Sequence, residues 1–218
     1  KKSSTVLEAR GYTYDPVGLI TNITRLNGVS ANYGYDPVGQ LVTAQAFESG
    51  GAPRLNEQLG YGYDASHNLT LRTNHTLLQT FTSDSRNQLV NVVRSGTLTV
   101  AGSVTGAVAT LGVNGTRAEL YSDQTFATTN GLTLQDGNNL FVTAGSNSSG
   151  TLVLSTKEAR TLPVTVGFSY DLNGNLLSDG LKGYEYDDAN QLVRVTVTNQ
   201  WRSEFAYDGL GRRRIAKD

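Results

Sequence analysis

The chain contains no cysteine and no methionine, only four prolines and one tryptophan in 218 residues. Without cysteine there are no disulfides, no thiolate nucleophile and no thiolate metal ligands. That absence does not separate an intracellular setting from an extracellular one. Neither sign of charge dominates: 18 basic and 19 acidic residues leave a net charge of -1, which gives no electrostatic footprint for a nucleic-acid partner. No apolar stretch reaches the roughly 18 residues of a membrane-spanning helix, and the amino-terminal KKSSTVLEAR lacks the apolar segment of a signal peptide.

What is plentiful is glycine, 24 residues, together with threonine, asparagine and valine. That composition points to short strands joined by tight turns, and an all-β fold is expected. The stretch GYTYDPVG at 11–18 shows how the turns are written. Aligned on its aspartate, the same pattern recurs around Asp15, Asp36, Asp64, Asp84, Asp171, Asp187 and Asp208, seven copies in all. The intervals between them are 21, 28, 20, 87, 16 and 21 residues, and one hairpin fits most of these.

Asp15-Pro16-Val17-Gly18 suits a type I turn, with Asp first, Pro where φ near -65° is required, and Gly where φ turns positive. The aspartate carboxylate accepts the backbone N–H two residues on, so its expected role is structural. A three-residue loop closed by a G1 bulge follows. The left-handed position falls to Gly18, Gly39, Gly174 and Gly211, to Asn87 and Asn190, and to His67. The same arithmetic places Tyr14 opposite Ile20, Tyr35 opposite Leu41, Tyr63 opposite Leu69, Tyr170 opposite Leu176 and Tyr186 opposite Leu192. These pairs, and Tyr207 of the last copy, are the expected packing residues, joined on one face by the aromatics two positions earlier. Two copies deviate: Ser83 replaces the tyrosine of the fourth, and Arg213 stands where the last should carry Leu or Ile.

The 87-residue interval holds an insert over 94–165, where Leu98-Val100, Val108-Thr110, Leu132-Leu134, Leu140-Val142 and Leu152-Leu154 alternate as short strands. Asn114-Gly115, the run Asp136-Gly137-Asn138-Asn139 and Ser148-Ser149-Gly150 punctuate them as turns or hairpin loops. The expected organisation is four hairpin copies in 1–93, a small inserted β-sandwich in 94–165, and three copies in 166–218.

Tyr35-Asp36-Pro37-Val38-Gly39-Gln40-Leu41 and Tyr170-Asp171-Leu172-Asn173-Gly174-Asn175-Leu176 resemble the YD-repeat, or RHS-repeat, family, whose motif is Tyr-Asp-x-x-Gly-x-Leu. The resemblance runs over about 12–93 and 166–214. It implies stacked antiparallel hairpins forming a curved sheet, part of a shell that in bacterial toxin proteins encloses a carboxyl-terminal toxic domain and in animal teneurins stands at the cell surface. It further implies a bacterial secreted or surface protein, with further repeats of the same polypeptide and an enclosed domain as partners. The chain reads as a segment of something longer. Thr99-Val100-Ala101-Gly102, Val113-Asn114-Gly115 and Gly137-Asn138-Asn139 give the insert a looser resemblance to bacterial Ig-like modules.

No enzyme is expected. Each repeat aspartate sits at the same turn corner, whereas a glycosidase pair needs two carboxylates converging on one substrate. His67 and His75 have no defined third zinc ligand, and the 136–139 run lacks a calcium-loop pattern. The two Asp-Pro-Val-Gly copies resemble one element of the self-cleaving site of RHS toxins, but both lie in ordinary repeats with more repeats after them. No cofactor is expected. The alternative function is adhesion, to a surface glycan or protein, through the insert or a concave sheet face. Trp201, outside the repeat lattice, is expected to cover a sheet edge.

Overall fold

In a computed structural model, residues 8–150 and 152–218 are described, all of them with side chains except 152–157. Every regular element among them is a strand. They form two compact units, and the chain passes between these at 80/81, 93/94 and 164/165.

The first unit begins with an antiparallel meander: β1 (Arg10–Tyr14), β2 (Ile20–Arg25), β3 (Ser30–Tyr35), β4 (Leu41–Phe47), β5 (Pro53–Tyr63), β6 (Leu69–Asn74) and β7 (Leu77–Ser83), each bonded to the next. The next strand, β8 (Leu89–Leu98), crosses the boundary between the units, as β7 does. Period-two alternation places Tyr12 and Tyr14, Tyr33 and Tyr35, and Tyr61 and Tyr63 on one face, with glycine, threonine and asparagine on the other. That second face is uncharged, bridged by Thr13 to Thr21 at 3.1 Å and by Asn22 Nδ2 to Asn32 Oδ1 at 2.7 Å.

The insert supplies β9 (Ala101–Ser103), β10 (Thr110–Val113), β11 (Thr116–Leu120), β12 (Thr125–Thr128), β13 (Leu132–Thr133), β14 (Gly137–Ser146) and β15 (Leu152–Leu162). Six of these run in the order β15-β14-β10-β11-β12-β9, while β13 pairs with the end of β8. Strand β11 changes partner along its length, pairing through Thr116 and Arg117 with β10 and through Ala118–Leu120 with β12. The change wraps the strands around a core of Val104, Leu111, Val113, Ala118, Phe126, Leu134 and Phe141. Leu77 of the repeat meander packs against that core. The Gly137-Asn138-Asn139 run, expected as a loop, opens β14 and pairs with Leu162, Thr161 and Arg160. The buried Asn139 amide makes this corner by bonding the backbone of Gln135 and Gly137.

The second unit holds the hairpin around Asp84, β16 (Thr165–Gly167), β17 (Ser169–Tyr170), β18 (Leu176–Ser178), β19 (Gly183–Tyr186), β20 (Leu192–Val197), β21 (Trp201–Tyr207) and β22 (Arg213–Lys217). Strand β16 pairs with β8, Thr165 opposite Val93 and Gly167 opposite Asn91, so two hairpins 87 residues apart in sequence are neighbours. Trp201 lies opposite Val197 at the start of β21 and is exposed. Here the face away from the tyrosines is charged: Arg194 meets Glu185 at 2.7 Å on one side and Glu204 at 3.3 Å on the other.

Candidate functional site

The repeated feature of the chain is the hairpin corner and the way each corner meets the next. In all seven copies one aspartate oxygen accepts two backbone N–H groups, those two and four residues on. Asp15 takes Val17 and Leu19, Asp36 takes Val38 and Gln40, Asp64 takes Ser66 and Asn68, and Asp84 takes Arg86 and Gln88. Asp171 takes Asn173 and Asn175, Asp187 takes Ala189 and Gln191, and Asp208 takes Leu210 and Arg212. The distances are 2.8–3.1 Å. The first bond is the Asx turn; the second ties the carboxylate to the return strand.

The residue three past each aspartate is left-handed: Gly18, Gly39, His67, Asn87, Gly174, Asn190 and Gly211 have φ between 59° and 91°. Asp64, Asp171 and Asp208 have their carboxyl pKa held below the usual range. For Asp64 and Asp171 the largest cause is the side-chain amide of Asn68 or Asn175, and for Asp208 it is the Arg212 N–H. An oxygen occupied in this way holds a turn, and in Asp64, Asp171 and Asp208 the second oxygen is taken as well, by Asn68, Asn175 and Arg212.

Tyr14 faces Ile20, Tyr35 faces Leu41, Tyr63 faces Leu69, Tyr170 faces Leu176, Tyr186 faces Leu192 and Tyr207 faces Arg213. Directly after each of these pairs the return strand carries one extra residue: Thr21, Val42, Thr70, Leu177, Val193 and Arg214. This second bulge resets the alternation, so Ile20 and Ile23 both join the tyrosine face, as do Leu192 and Val195. Aliphatic residues spaced by three in a strand were its signal in the sequence. At Arg213 the guanidinium lies 5.3 Å from the Phe205 ring centre, which lets a cation occupy the aliphatic position.

The joint between repeats has two parts. The Tyr35 hydroxyl donates to the Ile20 carbonyl at 2.8 Å, Tyr63 to Leu41 at 3.0 Å, Tyr170 to Leu89 at 3.0 Å and Tyr207 to Leu192 at 2.9 Å. In each case the acceptor is the residue five past the previous aspartate. Beside this bond, the left-handed residue of one repeat rests on the side chain four past the preceding aspartate. A Cβ on Gly39 would meet Leu19 at 3.7 Å, on Gly174 Gln88 at 3.3 Å, and on Gly211 Gln191 at 3.2 Å. Asn190 fills the same place by accepting from Asn175 at 2.7 Å. Tyr186 forms no such hydroxyl bond among the described residues; burial, with the Asp171 carboxylate nearby, raises its pKa. The bond from Tyr170 to Leu89 reaches across the whole insert.

A second polar centre fastens the insert. Arg54, 3% exposed, pairs with Glu48 at 2.5 Å, Glu57 at 2.8 Å and Asp123 at 3.1 Å, and lies 4.5 Å from the Tyr121 ring centre. Tyr121 accepts the Leu55 N–H at 2.7 Å, and Glu48 accepts the Ser122 N–H. Burial pushes the Glu48 and Asp123 carboxyls up, but their hydrogen bonds and Arg54 outweigh it and leave both below the usual range. At the neck of the insert the Arg94 N–H reaches the Val164 carbonyl, and its guanidinium bonds the carbonyls of Gln135, Leu162 and Pro163. His75 shares a hydrogen bond with Thr99 at 2.8 Å, and His67 occupies a turn.

A family model described as the teneurin YD-shell matches residues 123–218, which hold the second half of the insert and the last three hairpins. No curated protein sequence matches the chain. Among solved structures, the TcdB2-TccC3-Cdc42 structure is similar at 17% identity over 94% of this chain, with a TM-score of 0.35. A TcdB2-TccC3 structure is similar at 18% identity over 94%, and the Photorhabdus luminescens Tc holotoxin pore at 17% over 94%, each with a TM-score of 0.36. The chain covers 11% of the length of each of those chains.

Proposed function

We propose that this chain is a segment of a YD-repeat protein and that its work is structural: its hairpins build one stretch of a shell or extended scaffold. The observation that carries this is the tyrosine hydroxyl bond between successive hairpins, kept even where the insert separates them by 87 residues. The YD-shell match over 123–218 supports the same reading. The seven aspartates and their tyrosines are then turn and packing residues, and the protein is not an enzyme. In this reading the organisation is 1–93, 94–165 and 166–218, with the insert a small β-sandwich of the Ig-like kind leaving the repeats at the Arg94–Val164 neck. The buried core of the insert supports that division, although the insert lies in one compact unit with residues 8–80.

In its finer form the proposal is a secreted or surface bacterial shell that encloses another part of its own polypeptide, such as a toxic domain. Limited proteolysis of the product of the complete reading frame tests it. An enclosed segment stays intact while added protease digests the same segment expressed alone. Replacing Tyr35, Tyr63, Tyr170 and Tyr207 by Phe together is expected to expose it. Equal digestion of the segment in both settings contradicts enclosure.

A further inference from the structure

We propose that the cleft where β10 and β11 part is a binding site for the carboxyl terminus of another polypeptide, received as one short added strand. Such binding adds to the scaffold role and does not depend on it. From the Asn114-Gly115 turn the two strands keep only two pairs, Val113 with Thr116 and Gly112 with Arg117. Beyond them β10 stays with β14 and β11 with β12, and a cleft of about 510 Å³ opens between. That is within the range of ligand pockets, roughly 300–1,000 Å³. The Thr129 N–H on the Arg117 carbonyl and the Tyr121 N–H on the Thr125 carbonyl turn the odd-numbered residues of β11 toward β12. By alternation, Ala118 and Leu120 turn their backbone groups toward the cleft. The Asn114 N–H on the Val142 carbonyl likewise turns the even-numbered residues of β10 toward β14, which aims Leu111 at the cleft. The pairing of Gly112 with Arg117 bonds the Ala118 N–H to the Leu111 carbonyl. The Leu111 N–H, the Ala118 carbonyl and both groups of Leu120 are left without a partner among the described residues. Leu111 and Ala118 are each 7% exposed, and buried backbone groups rarely stand unpaired.

An extended strand supplies the missing donors and acceptors in the right order. It meets a stop at Ala118, because Gly112 and Val113 already hold the edge of β11 beyond that residue, so the added strand ends there. The end that fits is a carboxylate. The free Leu111 N–H is a donor, and the Arg117 side chain lines the cleft with no ion pair among the described residues. With its carboxylate at this end, the strand runs antiparallel to β11. Its last residue then lies beside Ala118 and its third from last beside Leu120, on the apolar side that Val108 and Leu111 also line. The residue between them lies beside Glu119, which lines the cleft and also has no ion pair among the described residues. The matching terminus is therefore apolar, basic, apolar, carboxylate. A second copy of β11 fits less well, since pairing Arg117 of each copy with Glu119 of the other would centre the strands on Ala118 and drive them into β10.

The test uses the whole 218-residue chain and the peptide Gly-Ser-Gly-Leu-Lys-Val, labelled with fluorescein at its amino end and titrated by anisotropy. Saturable binding is expected, with new amide-exchange protection at Leu111 and Leu120. Amidating the peptide carboxylate is expected to weaken binding about tenfold, as the loss of a charged hydrogen bond does. Arg117→Gln should weaken the free-acid peptide by a similar factor and leave the amide unchanged. Glu119→Gln should weaken the lysine peptide and not one with Gln in its place. Both side chains are exposed, so neither substitution disturbs folding. No saturable binding, equal binding of acid and amide, or binding indifferent to Arg117→Gln overturns the proposal. Leu111 and Leu120 amides already protected in the chain alone overturn it too, because a segment of the chain itself then covers the edge. A dimer of the chain that the peptide dissociates makes a second copy the occupant and overturns the choice of partner.

Discussion

The repeats and the insert are both antiparallel β-structure, yet they hold together by different means. In the insert Val113 and Ala127 are fully buried and seven apolar residues form a closed core. In residues 8–93 only Val29, Ala46 and Arg54 are buried, and the tyrosines are half-buried or exposed. The repeats therefore lean on local polar geometry: an aspartate that holds both sides of its turn, a left-handed corner, and a hydroxyl bond to the neighbour. Such a lattice extends by adding units, whereas a closed core has a fixed size. The repeat also fixes only the tip and the tyrosine face. The opposite face is free to be neutral in one unit and an ion-pair ladder in the other.

That contrast ranks the effects of substitution. Phe126→Ala, in the core of the insert, is expected to cost about 3–5 kcal/mol, measured by chemical denaturation, because it removes a buried ring and leaves a cavity in the core. Arg54→Ala should cost a similar amount, about 3–5 kcal/mol, by removing the shared cation of Glu48, Glu57 and Asp123, of which Asp123 keeps only Arg25 at 4.0 Å. Arg54→Met should cost clearly less if Glu48 and Asp123 are replaced by Gln and Asn at the same time.

The same cluster sets an acid limit. Glu48 and Asp123 titrate lower in the folded chain than their ordinary values of 4.5 and 3.8, so the stability they add is complete above those values. It is lost as the pH falls through the lowered folded values. Amide exchange at residues 121–125 should accelerate in that acid window, and Arg54→Met with Gln and Asn at 48 and 123 should remove the dependence. Smaller still, Asp36→Ala removes two backbone bonds from one corner and is expected to cost about 1–2 kcal/mol, with exchange quickening at Val38 and Gln40 and not in the insert. An equal loss of protection at Phe126 would break the distinction between the two regions.

The turns were legible in the sequence because their chemistry is local: Asp15, Pro16 and Gly18 each meet a backbone requirement within four residues. The cross-strand pairs followed by counting. The second bulge did not follow, because strict alternation past Tyr14 and Ile20 hides the extra Thr21, although the spacing of Ile20 and Ile23 records it. The hydroxyl bonds were hidden for a different reason: Tyr35 and Ile20 belong to different hairpins, and hydropathy patterning treats tyrosine as apolar area only. The return of β16 to β8 depends on contacts more than 70 residues apart and the Arg54 cluster on a pair 69 apart, and no short window contains either.

The central claim is that tyrosine hydroxyls join one hairpin to the next, and urea unfolding of Tyr63→Phe beside Tyr14→Phe tests it most directly. Tyr63 donates to Leu41 and Tyr14 donates to no described residue, so the two substitutions remove the same atom with and without a partner. The account predicts a loss of about 1 kcal/mol for Tyr63→Phe and no change for Tyr14→Phe. Equal effects of the two, or no effect of either, would contradict it.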